Sequence, residues 1–286
     1  MKKKLSKILV LCLSAVMVLS LAACGSSTET LTEDITVVSR EEGSGTRDAF
    51  VELTGVMEDD VDNTVDTAEI SNSTSVVIQS VAGNVAAIGY ISLGSLDDSV
   101  KAVQVDGVDA TTDNVLSGDY ALQRPFNIVT GDDVSDLAQD FIDYIMSAEG
   151  QAIVSEEGYV AIDEDAESYS GGGYTGTITV AGSTSVAPLM EVLAEAYMEL
   201  NSGVTIEIQQ TGSSAGIQST IEGVCDIGMS SRELKDEETA EGVTSLQIAL
   251  DGIAVIVNTE NGIESLTMEQ IKQIFTGEIT NWADLS

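Results

Sequence analysis

The sequence predicts an α/β fold, and three observations carry that prediction. Strand-like runs rich in Val, Ile and Thr alternate with segments whose apolar residues recur at helical spacing. One local design, a β-like run, a Gly/Ser/Thr turn and an apolar-periodic helix, occurs in "ITVVSREEGSGTRDAFVEL", "TITVAGSTSVAPLMEVL" and "TIEIQQTGSSAGIQSTIEG". The chain of 286 residues is also long enough for two lobes, each with its own core.

Taken in order, the chain opens with Lys2, Lys3, Lys4 and Lys7 ahead of an apolar run that ends in Leu21-Ala22-Ala23-Cys24. This is the pattern of a secretory signal peptide over residues 1–23 with a lipoprotein cleavage box, and it makes Cys24 the expected lipidation site. The run is shorter than the ~20 residues that a bilayer-spanning helix needs. A polar linker follows over residues 24–33, and then the first strand–turn–helix unit. "VVIQSVAGNVAAIGYISL" reads as a helix capped within Ser73 to Ser75 and followed by a core strand, with no ligand assigned. A second Gly/Ser-containing linker, residues 163–176, separates two segments of similar size. Beyond it, "PLMEVLAEAYMEL" predicts a helix with Leu189, Val192, Ala196 and Leu200 on its apolar face.

Composition narrows the chemistry. With 48 acidic against 11 basic residues the formal charge is −37, which repels nucleic acid and anionic surfaces. The chain has no histidine, so a Ser-His-Asp triad, a Cys-His pair and His-ligated zinc are all excluded. No pair of acids stands out for acid–base work, and no enzyme activity, metal or cofactor is expected. Cys225 lies in an apolar context and reads as a small buried hydrophobe.

The three Gly/Ser/Thr turns point to an anion. The first N–H groups of a helix lack intrahelical partners, and the helix dipole adds about half a positive charge there. Taken singly, Ser44, Ser183, Thr184, Ser185 and Ser213 serve equally as helix caps. Three copies together, one of them flanked by Arg40 and Arg47, favour a site for an oxyanion. Arg40 offers a rigid fork of donors, or else a surface ion pair to Glu41 or Glu42. "GSGTRD" lacks the dinucleotide fingerprint, and no phosphate-loop motif for nucleoside triphosphates occurs.

At this point the chain resembles the phosphate-binding proteins of ABC phosphate importers. "SREEGSGTRDAF", "GNVAAIGYISL", "FIDYIMSAEGQAIVSEEGYVAI", "TITVAGSTSVAPLMEVLAEAY", "QQTGSSAGIQSTIEGVCDIGMSSREL" and "IFTGEITNWADL" resemble that family's segments and span nearly all of the chain after Cys24. Their order differs: in the family "GSTSVAP" comes first and "GEITNW" leads into "REEGSGTR", so the halves here are exchanged as in a circular permutant, with residues 163–176 as the join. The resemblance implies a type II periplasmic-binding-protein-like fold, two doubly wound lobes with a ligand cleft between them. One lobe would comprise residues 124–254. The other would combine 34–122 with 255–286, and "RPFNIV" and "GIAVIVN" would cross between them.

The resemblance also implies a function: an extracytoplasmic, lipid-anchored and monomeric receptor that captures inorganic phosphate for an ABC permease and its ATPase. Thr184, Ser185, Ser213, Arg40, Ser44, Gly45 and Thr46 match the family's phosphate-binding positions. Glu42 matches the acid that pairs with the arginine, and Arg47 is a secondary candidate. Ser231 stands where well-known members place the aspartate that accepts the phosphate proton and so rejects sulfate; Asp251 is the substitute acceptor considered. Sulfate, molybdate or tungstate, or a non-transport role in sensing, are the alternatives left open. A phosphate-ester hydrolase using Ser44 or Ser185 lacks an activating base.

Overall fold

The computed structural model describes residues 31–163 and 165–285; Cys24, the signal sequence and part of the first linker lie outside them. The described chain is organised around a nine-stranded sheet. Its strands are β1 (Thr36–Arg40), β2 (Glu69–Ser71), β3 (Ala87–Ser92), β4 (Val100–Ala102), β5 (Gln123–Thr130), β6 (Gly176–Gly182), β7 (Val204–Gln210), β8 (Ile227–Ser230) and β9 (Thr244–Asn258). The helices are α1 (Gly45–Leu53), α2 (Thr74–Ala82), α3 (Thr112–Ser117), α4 (Asp136–Ile145), α5 (Ala148–Glu156), α6 (Ala187–Leu200), α7 (Ser213–Ile221), α8 (Asp236–Ala240) and α9 (Met268–Phe275). No helix among the described residues is long and apolar enough to cross a membrane.

The sheet runs β7-β6-β8-β5-β9-β3-β1-β2, with β4 also paired to β9. At one end β6 is parallel to both β7 and β8. At the other end β1 is parallel to both β2 and β3. Between these parallel sets lie two antiparallel strands, β5 and β9. The fifteen-residue β9 pairs with β5 through Gly252 and with β3 from Ile253 onward, so one strand belongs to both halves of the sheet. "GIAVIVN" is therefore only its second half, and the handover falls at Gly252/Ile253, just ahead of the boundary expected after Ala254.

Each half buries its own apolar core. One packs Phe126, Phe141, Leu189, Leu193 and Tyr197 around β5, β6 and β8; the other packs Phe50, Tyr90, Val255, Ile274 and Phe275 around β1, β3 and β9. In α6 the buried face is Leu189, Met190, Leu193, Ala194 and Tyr197, whereas Leu200 is exposed. The expected stripe through Val192, Ala196 and Leu200 was rotated by about one residue. Both stripes carry helical periodicity in so apolar a segment, and the bulk of Met190 and Tyr197 decides which one faces the sheet. Cys225 is buried beside the Thr220 hydroxyl and Gly216 carbonyl, as a packed thiol.

The first and last described segments are stitched together. Ile35 N–H donates to Thr280 O (2.8 Å), Trp282 N–H donates to Glu33 O (3.1 Å), and Asn281 Nδ2 donates to Asp34 Oδ1 (2.9 Å). Trp282, 1% exposed, adds an indole bond to Ala86 O (2.9 Å) at the foot of β3. The segment before β6 is held differently: Asp140 on α4 accepts from the Tyr169 and Tyr197 hydroxyls, each at 2.6 Å, and from Gly172 N–H at 3.2 Å. The linker thus ends at Thr175, since Gly176 already belongs to β6.

Trp282 is the chain's single tryptophan. Trp282→Ala removes a buried ring and its hydrogen bond, and is expected to cost about 3–5 kcal/mol. Denaturant titration followed by circular dichroism should show a lower midpoint with an unchanged slope.

Candidate functional site

Every parallel strand that carries a predicted site residue ends at the same place, the junction of the two halves. Ligands in open α/β sheets bind beyond the carboxyl ends of strands. Here β1 ends in Arg40, β2 in Ser71, β6 in Gly182 and β8 in Ser230, and the turns beyond them face one another. Gly182 allows the close approach: at φ +142° a Cβ there would lie 2.2 Å from Met229 O on β8. Ser183 N–H then donates to that same carbonyl (2.9 Å).

Four helices begin at this junction, α1, α2, α6 and α7. From one half, Thr46 Oγ1 lies 2.8 Å from Ser185 Oγ, and Thr74 Oγ1 lies 3.1 Å from Ser185 Oγ and 3.4 Å from Thr184 Oγ1. On the other side of the cluster, Ser183 and Ser213 reach Ser231 Oγ at 3.0 and 3.3 Å. Ser183 Oγ joins the two groups by accepting from Ser185 N–H (3.2 Å). All of these hydroxyl residues are at most 5% exposed. Gly45 packs against the cluster so tightly that a Cβ would sit 2.5 Å from Ser213 Oγ and 2.8 Å from Ser231 Oγ. Ser44 caps α1, its Oγ accepting from Arg47 N–H (3.4 Å).

Arg40 supplies the cationic donors. Its Nη2 donates to Thr184 Oγ1 across the junction (3.0 Å), and its Nε and Nη2 grip the two Glu41 carboxylate oxygens at 2.8 Å each. Glu41, not Glu42, is thus the partner of the arginine; Glu42 points into solvent. Strand geometry explains the correction. Arg40 is the last residue of β1, and its neighbour turns back over the guanidinium where the chain leaves the sheet. Tyr90 braces the same strand end, its hydroxyl meeting Ser39 Oγ at 2.8 Å and accepting from Arg40 N–H at 3.3 Å. Burial pushes that phenol up to about 12, so it remains protonated at neutral pH.

Two secondary candidates, Arg47 and Asp251, are occupied elsewhere. Arg47 donates to Asp62 (2.7 Å) and to the Arg40 carbonyl (2.9 Å), which ties it to its own lobe. Burial would raise the Asp62 carboxyl, yet Thr64 and Arg47 together hold it below its ordinary value. Asp251 sits within β9, 1% exposed, bound by Ser92 (2.9 Å) and by Arg124 (3.1 Å). Arg124 in turn donates to Ser231 O (3.2 Å), so Asp251 reaches the cluster only through that arginine.

Thr74 was missed. "EISNSTSVV" has the layout of the other three units, but its turn has no glycine, and the glycine had been the flag. Arg124 and Tyr90 carried no local signal, since each acts through a partner distant in sequence.

Comparisons with known proteins bear on the family. Residues 27–149 and 167–286 match the model of the PBP superfamily domain. The chain is 48% identical over 273 residues to Phosphate-binding protein PstS 2 of Streptococcus agalactiae, covering 93% of each. The chain belongs to the phosphate-binding-protein family. A crystal structure of a phosphate ABC transporter, phosphate-binding protein from Streptococcus pneumoniae, superposes with a TM-score of 0.72 at 49% identity, covering 89% of this chain and all of that one. A third family member, Phosphate-binding protein PstS of Bacillus subtilis, aligns at 35% identity over 113 residues, 39% of this chain and 38% of its own length.

Burial pushes the Asp251 carboxyl up to about 6, against the pull of Arg124 and Ser92. The unfolded value is about 3.9, so the folded protein holds this proton more tightly. The associated stability is fully present below pH ~4 and is lost as pH rises through ~6. Asp251→Asn has no such proton, so the stability of wild type relative to this variant should fall by roughly 2–3 kcal/mol between pH 4 and pH 7. Urea titrations of both proteins across that range check it.

Proposed function

We propose that this protein is an extracytoplasmic receptor, anchored through Cys24, that captures inorganic phosphate between its two lobes for an ABC permease and its ATPase. The observation that carries the reading is the convergence of four helix starts, seven buried hydroxyl residues and Arg40 on one junction. Phosphate would be held by Thr184, Ser185 and Ser213 from one lobe and by Arg40, Ser44, Gly45 and Thr46 from the other, with Thr74 added. Hydroxyls that now bond one another would instead donate to phosphate oxygens, replacing neutral bonds with charge-assisted ones. Helix N-termini and neutral donors act at hydrogen-bond range, so strong net acidity does not prevent anion binding at this spot.

The permuted order of segments belongs to the same proposal. In the resembling family "GEITNW" runs on into "REEGSGTR"; here Thr280, Asn281 and Trp282 pair in space with residues 33–35, so the two segments are neighbours in space though distant in sequence, which supports the exchanged order. The Streptococcus agalactiae alignment covers 93% of the chain, while the Bacillus alignment covers 39%, a difference in keeping with a collinear match to a chain whose halves are exchanged. No hydrolytic role is proposed. Ser185 Oγ meets only the Thr46 and Thr74 hydroxyls, and Ser44 Oγ is a helix cap, so neither serine has a base.

One observation favours a second reading, a receptor for an unprotonated oxyanion such as sulfate. Ser231 stands at the usual aspartate position, and the nearby carboxylates of Glu41 and Asp251 are each held by an arginine. A serine hydroxyl can accept the phosphate proton as well as donate, so phosphate remains favoured, with weaker rejection of sulfate than an aspartate gives.

Isothermal titration at pH 5 and pH 8 should give micromolar or tighter phosphate binding at both. Arg40→Gln should weaken it about 100-fold or more, through loss of the only charged donor of the cluster. Sulfate binding as tight as phosphate would establish the second reading. A folded protein that binds neither anion would refute both.

A further inference from the structure

Next to Ser231 stands Arg232, a third arginine buried at the junction beside Arg40 and Arg124, which the phosphate reading leaves without a role. It is 6% exposed, and its guanidinium is almost entirely satisfied within its own lobe. Nη1 donates to Glu238 Oε2 (2.8 Å) and Glu233 O (2.8 Å), while Nη2 donates to Glu238 Oε1 (2.7 Å) and Ser214 Oγ (3.0 Å). Glu238 lies on α8 and Ser214 in the first turn of α7, so the fork is fixed before anything from the other lobe arrives. One N–H remains, on Nε, and it points at the opposite lobe.

There it meets Asp48, in the first turn of α1 and two residues beyond Thr46. Arg232 Nε and Asp48 Oδ2 are 2.9 Å apart. The contact lacks the alignment of a full hydrogen bond, and neither buried atom has another hydrogen-bond partner. Lys235, also from the Arg232 lobe, approaches the same oxygen at 3.9 Å. Asp48 is 26% exposed and opens onto a cleft of about 480 Å³ that Arg232 and Lys235 also line, so the two charges approach each other through solvent although the contact atoms are buried once they meet.

We infer that Arg232 and Asp48 form an inter-lobe latch, a pair of positioning residues that favours lobe closure without touching the ligand. The inference rests on the receptor reading in one respect, that the lobes part to admit ligand. On parting, Arg232 keeps its Glu238, Glu233 and Ser214 contacts and loses only Asp48, which returns to water. The cost of ordering the long arginine side chain is met in the open lobe already, and this makes one ion pair effective. Its misalignment means that a small rotation of the lobes strengthens or breaks it, so the latch responds to the closure angle.

The test uses the full mature chain with dyes at Val61→Cys and Leu200→Cys, exposed positions on the two lobes. In ligand-free protein, energy transfer should report a closed fraction that falls between about 0.05 and 0.5 M salt, where screening of charges that approach through solvent becomes strong. Asp48→Asn should lower that fraction at low salt and abolish its salt dependence. With phosphate, Asp48→Asn should speed dissociation about 3- to 10-fold and change association less than about 2-fold. Arg232→Gln added to Asp48→Asn should then change dissociation little further, because the pair is already broken. A ligand-free distribution that neither salt nor Asp48→Asn alters would overturn the latch. Failure of the unsubstituted protein to bind phosphate would instead refute the receptor reading, and the ligand-free distribution would still decide the latch.

Discussion

The structure depends on one strand being shared. Residues Thr244 to Gly252 of β9 complete the sheet of one half, and Ile253 to Asn258 complete the other, with continuous backbone and no loop at the handover. A strand is stiff along its length and compliant in twist. Two lobes joined in this way can rotate about the junction while the strand ends that carry the site residues stay within side-chain reach. The antiparallel β5 runs alongside, and the Arg124–Asp251 pair ties the two strands where they cross. Between these strands and the hydroxyl cluster lies one residue, Ser231, whose carbonyl Arg124 holds.

Against a charge of −37, the placement of arginine carries most of the electrostatic information. Arg40, Arg124 and Arg232 are each nearly buried at the junction, and each is bound to a carboxylate. A lone buried guanidinium would cost several kcal/mol, so its partner is obligatory. The partners also fix which N–H groups remain to do other work. Glu41 takes one N–H of Arg40 Nη2 and leaves the other to reach Thr184, Asp251 leaves Arg124 Nη1 to hold a carbonyl, and Glu238 leaves Arg232 Nε facing the other lobe. The acids that matter are therefore those that aim arginines.

Much of this was legible in the sequence. The alternation of elements, the three strand–turn–helix units and the scarcity of basic residues singled out Arg40, Ser44, Ser185 and Ser213 as candidates, because a turn followed by a helix start has a local signature; Thr46 came only through the family resemblance. What the sequence withheld was relational. Thr74 lacks the neighbouring glycine and is recruited by the fold of its lobe. Glu41 and Glu42 are indistinguishable by composition, and only the exit angle of β1 chooses between them. The rotated face of α6 shows the same limit, since two apolar stripes fit one helix and packing against β6 selects one. Asp251 lies just ahead of "GIAVIVN", the run expected to cross between the lobes, and is inside the strand, because β9 is longer than its most apolar stretch.

The pairing of Trp282 and Asn281 with residues 33–35 also sets an order of events in making the molecule. The half of the sheet built from β5 to β8 is contiguous in the chain and needs only the first part of β9 to be complete. The half that begins with β1 needs Ile253 to Asn258 and then α9 and Trp282, so its earliest strands wait for segments made much later in the chain. Chains emerge at roughly 5–20 residues per second. For the many seconds between the two, β3 presents an apolar edge without its neighbour β9. The half that appears first is thus the last to close, and its exposure to chaperones and proteases is longer than that of the other half.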